Sequence, residues 1–233
     1  MRWISSTLAV VVAAGSWAAA QAPPAPRVPP VPVAPQPRFV VVLDAAHGGD
    51  DAGGRLANGQ PEKALTLAMS VRLRSLLAAR GIQVLTIREQ DLKIDLNRRA
   101  EVANHANAQA CLILHASESG SGVHLFVSSI APAPPVRLPA WKTAQAAWVT
   151  RSLALAGVLN SALLHAGMAV TVSRSSMPGV ESMTCPAVAV EVAPERDAAL
   201  KTTAELDNAD YQARVAGALA AAILEWRTEA REP

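Results

Sequence analysis

Residues 39–54 read Phe-Val-Val-Val-Leu-Asp-Ala-Ala-His-Gly-Gly-Asp-Asp-Ala-Gly-Gly, an apolar run followed by a glycine-rich segment. The run at 39–43 is too short for a helix and rich in β-branched residues, which predicts a strand buried on both faces. His47 follows among glycines that permit backbone conformations other residues resist. The stretch therefore predicts a histidine just past a strand's carboxyl end, where open α/β sheets bind ligands. Its structural alternative is a histidine in an ordinary turn.

Length and charge restrict the classes of protein to consider. The chain has 233 residues, 51% of them hydrophobic, which is enough for one domain with a full core. The formal net charge is only +2, without the excess of basic residues typical of nucleic-acid-binding proteins, so we expect no nucleic-acid partner.

The amino-terminal residues have the composition of an export signal. Arg2 precedes the apolar stretch 4–17, and small residues at 18–20 suit cleavage before Gln21, so residues 1–20 are predicted to be a signal peptide. The alternative, a retained anchor, needs about 20 predominantly apolar residues. Residues 21–38 are proline-rich and predict an extended linker, so the folded domain is expected at 39–233. We expect membrane contact only through the signal peptide, and a location in the periplasm or cell envelope.

Strand and helix patterns alternate along the rest of the chain. Further strands are predicted at 82–87, 110–114, 123–127, 170–173 and 187–192, and helices at 62–80, 96–106, 144–165 and 209–227. Residues 129–140 and 174–184 are predicted loops. The alternation predicts an α/β fold: a single three-layer domain with a largely parallel, mixed sheet flanked by helices.

Four side chains are candidates for a site at one edge of this sheet. His47 and His115 follow buried strands, and Glu62 lies in the first turn of a helix, where the helix dipole alone could favour an acid. Glu191 interrupts an apolar strand, and an acid there is costly to bury without a partner. His124, on the strand at 123–127, is expected to be structural.

Two imidazoles and a carboxylate suit catalytic zinc, because three protein ligands leave one position open for water. Bound zinc lowers the pKa of that water to about 7. A carboxylate that is not a ligand can then take the water's proton and pass it to a leaving amine. Glu191 is the candidate for that role, although the spacing follows no short local motif.

Over nearly all of residues 39–226 the sequence resembles the zinc-dependent N-acetylmuramoyl-L-alanine amidases of bacterial cell walls. The matching motifs are Val41-Val42-Leu43-Asp44 with His47-Gly48-Gly49, Glu62-Lys63, Thr86 with Arg88 and Asp91, Leu96 with Arg99, Ala103 and Asn104, Ile113-Leu114-His115-Ala116, and Pro186-Ala187-Val188-Ala189-Val190-Glu191.

The resemblance implies zinc held by His47, Glu62 and His115, with Glu191 as the catalytic acid/base. It implies peptidoglycan as substrate, cut at the amide between the lactyl group of N-acetylmuramic acid and L-alanine of the stem peptide. Two further readings stay open: a non-catalytic wall-binding module, and a zinc peptidase acting on other exported peptides.

Some sequence features depart from the family pattern. Ala45-Ala46, Ser117 and Ala193-Pro194 stand where relatives usually carry Pro-Gly, asparagine and Gly-Phe. Some relatives also insert a helix that plugs the zinc site after the fourth strand. Only the loop 129–140 occupies that place here, which predicts an open cleft; an activator protein is not identified by the sequence.

Cys111 and Cys185 both lie beside apolar strand-like runs. An exported chain can pair them, and two buried thiols are the alternative.

Overall fold

The computed structural model describes residues 38–136 and 140–229. The predicted signal peptide, and the linker up to residue 37, lie outside the described residues. The strands are β1 (Val40–Ala45), β2 (Gln83–Thr86), β3 (Ala110–Ala116), β4 (Val123–Ser128), β5 (Val170–Ser175), β6 (Ala187–Val192), β7 (Glu195–Arg196) and β8 (Thr202–Ala204). The helices are α1 (Glu62–Ala78), α2 (Leu96–His105), α3 (Val149–His165), α4 (Pro178–Glu181) and α5 (Ala209–Glu229), with a 3₁₀ helix at Trp141–Ala147.

Six strands form one mixed sheet in the order β2-β1-β3-β6-β4-β5. Neighbouring strands are parallel except β4 and β6, which pair antiparallel. The central strands β1, β3 and β6 run in the same direction, so their carboxyl ends meet at one edge of the sheet. The predicted fold class, a largely parallel mixed sheet in one α/β domain, is confirmed.

Helices cover both faces of the sheet, because side chains alternate between faces along each strand. Leu43, Leu112 and Val190 belong to the core cluster formed with α1, α3 and α5. Cys111, Ile113 and Ala189 are part of a second cluster, formed with α2 and α4. Three layers result, as predicted.

A disulfide joins Cys111 to Cys185, whose Cα atoms are 6.2 Å apart. Of the two alternatives left by the sequence, pairing is therefore the one observed. The bond connects β3 to the segment that follows α4, and both cysteines are buried.

Short elements account for most differences between the predicted and observed structure. The strand β3 continues through His115 to Ala116, and the helix predicted from residue 144 is a 3₁₀ helix at 141–147 followed by α3. The predicted loop 174–184 contains α4, and the hairpin of β7 and β8 was not predicted. Elements of two to seven residues give too few positions for a hydrophobic period to be read.

Of the helices that the structure describes, none alone has the length and apolarity needed to cross a membrane. One pair, Trp141–Ala147 with Val149–His165, meets the criterion by length and composition and is bent by 64°.

Candidate metal centre

Three predicted ligands converge at the carboxyl edge of the sheet. His47 lies just past β1, Glu62 opens α1, and His115 lies near the end of β3. One potential ligand atom from each residue lies within 4.8 Å of the others. The structure therefore brings together side chains that are far apart in the chain, in an arrangement that could hold a metal ion.

Glu62 is the buried member of the cluster and is held from three sides. Its Oε1 lies 2.9 Å from His115 Nδ1 and accepts from the Ala116 amide at 3.0 Å, while Oε2 accepts from the Gly54 amide at 2.9 Å. Burial alone raises the pKa of Glu62, but these hydrogen bonds and the charge of His115 outweigh it and lower the pKa to about 2. Glu62 is therefore ionised at neutral pH, as a ligand carboxylate must be.

The backbone at His47 adopts a φ of 63°, which is uncommon for a residue with a side chain. Two buried arginines hold this turn through its carbonyl groups. Arg99 donates to the carbonyls of Ala45 at 2.9 Å and His47 at 2.6 Å, and Arg88 donates to those of Ala45 at 2.8 Å and Ala46 at 2.9 Å. These bonds stabilise the conformation that directs the His47 ring towards Glu62.

Arg99 also forms an ion pair with Asp44, the last polar residue of β1. Their side chains are 5% and 4% exposed, so both charges are removed from water. Burial raises the pKa of Asp44, and the adjacent Arg99 opposes that rise. Through Arg99, the pair contacts the His47 turn.

A second set of contacts, the Lys63–Asp91 brace, holds the glycine segment after His47 in place. Lys63 donates to the Gly49 carbonyl and to Asp91, both at 2.6 Å, and Asp91 accepts from the Gly49 amide at 2.7 Å. Lys63 and Asp91 belong to the motifs quoted above, and this contact gives them a structural role.

Asp51 was not identified from the sequence, although it lies four residues after His47. Both of its carboxylate oxygens contact His47 Nδ1, at 2.9 and 3.0 Å. The other ring nitrogen, Nε2, then lies 3.1 Å from Glu62. A carboxylate on the outer nitrogen of a ligand histidine fixes its tautomer and raises its basicity, so Asp51 is an orienting residue for His47.

We expect Asp51→Ala to weaken metal binding by about 10- to 100-fold, because the His47 ring loses the partner that fixes its tautomer. Asp50→Ala is the matched control, since Asp50 pairs with Lys93 at the surface, where its side chain is 72% exposed. Competition against a chromophoric chelator measures both affinities. Equal affinities in the two variants would show that Asp51 does not support the site.

Glu191 lies beside the cluster and is half-buried. It pairs in register with His115 on β3 and with His124 on β4, so the three side chains share one row on one face of the sheet. Adjacent strands are about 4.8 Å apart. Glu191 is thus a neighbour of His115 outside the ligand cluster. His124 contacts the Thr171 hydroxyl at 2.7 Å, which suits the predicted structural role.

A cavity of about 310 Å³ opens beside the cluster. Its lining includes His47 and His115, and it also contains the charged side chains of Asp51, Lys93 and Asp95. The two histidines keep 22% and 35% of their side chains exposed. A molecule of substrate size can therefore reach the cluster from this cavity.

Comparisons with known proteins identify the family of this chain. The sequence profile of the family described as N-acetylmuramoyl-L-alanine amidase matches residues 41–225. The N-acetylmuramoyl-L-alanine amidase AmiA of Escherichia coli (strain K12) is 40% identical over 94 residues, which cover 39% of this chain and 32% of that protein. The sporulation-specific N-acetylmuramoyl-L-alanine amidase of Bacillus subtilis is 34% identical over 97 residues, covering 40% and 38% of the two chains. The matches thus span about a third of these curated relatives.

A solved structure extends the similarity over the whole fold. The catalytic domain of CwlV, an N-acetylmuramoyl-L-alanine amidase from Bacillus (Paenibacillus) polymyxa var. colistinus, superposes with a TM-score of 0.64 and 25% sequence identity. The superposition covers 82% of this chain and 98% of that domain. Together with the profile match over most of the sequence, it shows that this chain belongs to the N-acetylmuramoyl-L-alanine amidase family.

Proposed function

We propose that this chain hydrolyses the amide between the lactyl group of N-acetylmuramic acid and L-alanine in peptidoglycan. The observation that carries the proposal is the convergence of His47, Glu62 and His115 at the sheet edge, beside an accessible cavity. The names of the family and of the relatives support the substrate.

Zinc is the metal we propose for this cluster. Two imidazole nitrogens and one carboxylate oxygen are a donor set typical of catalytic zinc. The packing leaves little room around them: a Cβ on Gly53, whose φ is +66°, would lie 2.6 Å from His47 Cδ2 and 2.7 Å from Glu62 Oε2. This glycine therefore lets the loop close tightly over the two ligands, and the residues present fit the metal.

When bound, zinc would supply Lewis acidity that makes a water nucleophilic near neutral pH. Glu191 is proposed to accept a proton from the attacking water as its oxygen bonds to the lactyl carbonyl carbon. Glu191 then gives the proton to the amine nitrogen as the C–N bond breaks. The products are the carboxylate of the muramic acid lactyl group and the stem peptide with a free, protonated amino terminus, and Glu191 returns to its carboxylate form.

The cleft is proposed to work without a partner that opens it. Residues 129–136 are irregular and the 3₁₀ helix at 141–147 follows, while both ligand histidines stay partly exposed. The test is the activity of the purified chain by itself, and full activity without a second protein is the expected result. Full activity that required a second protein would overturn it.

Export to the periplasm or cell envelope is proposed from the amino-terminal sequence and from the disulfide. Disulfides form and persist mainly in oxidising compartments outside the cytosol, and Cys111 and Cys185 are paired here. Peptidoglycan lies outside the cytosol as well, so the proposed location is consistent with the proposed substrate.

Metal removal tests the proposed function directly. Purified protein is expected to release stem peptides from muropeptides, to lose this activity after dialysis against a chelator, and to regain it when one equivalent of zinc is added. Chromatography of the released peptides and metal analysis of the same samples measure both effects. Binding to sacculi without cleavage in zinc-replete buffer would indicate a non-catalytic wall-binding module. Preferential cleavage of other exported peptides would indicate a peptidase.

A further inference from the structure

An apolar groove of about 230 Å³ adjoins the candidate metal centre at His115, and its lining does not include His47. It shares Asp44, Leu96, Arg99, Ile113 and His115 with the larger cavity, so the two spaces are continuous. The remaining lining residues are Met177, Pro178, Gly179, Val180, Met183 and Ala189. Since these six carry no charge, the groove suits an apolar group.

The groove extends to β6, the strand that carries Glu191. Ile113 and Ala189 form part of its lining, and they lie two residues before His115 and Glu191 on the same face of the sheet. The larger cavity instead extends past His47 to the charged side chains of Lys93 and Asp95. The two sides of the metal centre therefore differ in polarity.

The outer wall of the groove is held in place by several contacts. The disulfide joins Cys185, two residues after Met183, to Cys111, two residues before Ile113. Gln145 donates to the carbonyls of Met183 at 2.9 Å and Cys185 at 3.1 Å. Because these contacts hold the wall in place before a substrate binds, binding loses less conformational entropy.

We propose that this groove receives the side chain of the amino acid on the amine side of the scissile amide. The inference depends on the proposed function, because Glu191 gives its proton to the leaving amine and that amine must therefore face Glu191. The muramoyl sugar then lies towards the polar cavity. A methyl group occupies little of 230 Å³, so the chain accepts amides of larger apolar L-amino acids as well as of L-alanine.

The experiment compares N-acetylmuramoyl peptides that carry L-alanine, L-leucine or L-asparagine after the scissile amide. Leucine and asparagine have similar size and differ in polarity, so an apolar groove favours leucine. For the zinc-loaded wild-type chain, kcat/KM for the leucine substrate is expected to lie within about 10-fold of kcat/KM for the alanine substrate. The asparagine substrate is expected to have the lowest kcat/KM of the three, because a hydrophobic pocket discriminates between side chains by about 10- to 200-fold.

A variant that fills the groove tests whether the groove itself receives the side chain on the amine side of the scissile amide. A Cβ on Gly179 would lie 3.1 Å from Leu96 Cδ2, across the groove, and no positive φ is recorded for this glycine. Gly179→Leu is expected to lower kcat/KM for the leucine substrate by about 10- to 200-fold more than for alanine. Gly157→Leu is the matched control, since Gly157 is exposed on α3 with no atom within 4 Å of its added Cβ.

Leu96→Ala provides a second test that does not risk the core, because Leu96 is 56% exposed. It removes one wall of the groove and is expected to raise KM for the leucine substrate more than KM for the alanine substrate, since the larger cavity that Leu96 also lines serves both substrates. Cleavage of the alanine substrate with rejection of leucine in the wild type would overturn the groove assignment alone. Equal effects of Gly179→Leu on both substrates would also overturn it. Failure to cleave any muramoyl peptide would overturn the proposed function and this inference with it.

Discussion

Replacing Glu191 by glutamine should lower kcat by about 10²- to 10⁴-fold, the range typical of a lost general acid/base. Glutamine keeps the size of the side chain and its place on β6, in register with His115. It cannot accept the water's proton or return one to the amine. Since Glu191 lies outside the cluster of His47, Glu62 and His115, the zinc content should stay at one ion per chain.

Rates of stem-peptide release under saturating substrate, with metal analysis of the same samples, test this expectation. Glu225→Gln is the matched control, because Glu225 is exposed on α5 and far in sequence from every candidate site residue. Loss of zinc together with activity in Glu191→Gln would make Glu191 a ligand instead of an acid/base. An unchanged kcat would remove Glu191 from the reaction altogether.

The outline of the site could be predicted because it depends on strand ends. In a parallel sheet the carboxyl ends of neighbouring strands meet at one edge, so histidines following the runs at 39–43 and 110–114 were expected to be close. Glu62 at a helix start is a candidate carboxylate ligand from the sequence, and the family resemblance implies the same role, although an acid in a helix's first turn is also explained by the helix dipole.

Contacts between distant segments could not be predicted in the same way. Arg98 and Arg99 are adjacent in sequence, yet Arg98 is on the surface and Arg99 is buried against Asp44. Successive helix residues point about 100° apart, and only the packing of α2 on the sheet decides which one faces inward. The groove is a similar case: its wall is α4, a four-residue helix within a predicted loop.

The second large effect is expected from Arg99→Met, which should lower the free energy of unfolding by about 3–5 kcal/mol. Methionine replaces the aliphatic stem but leaves Asp44 buried without its partner. The carbonyls of Ala45, His47 and Ile94 each lose the hydrogen bond from Arg99 in the same substitution, and Ala45 keeps the one from Arg88. Because two of these carbonyls belong to the His47 turn, zinc affinity should fall as well.

Urea unfolding of the metal-free chain isolates the effect on the fold from any effect of zinc. Arg98→Met is the matched control: its side chain is 60% exposed and pairs with Glu101 at the surface, so a change within about 1 kcal/mol is expected. Adding Asp44→Asn to Arg99→Met should recover part of the lost stability, since asparagine removes the unpaired buried charge of the Asp44 carboxylate while keeping the shape of the side chain. If Arg99→Met and Arg98→Met unfolded with the same free energy, the buried pair would not be what holds the His47 turn. The positive φ at His47 would then have to be maintained by Arg88 and the Lys63–Asp91 brace alone.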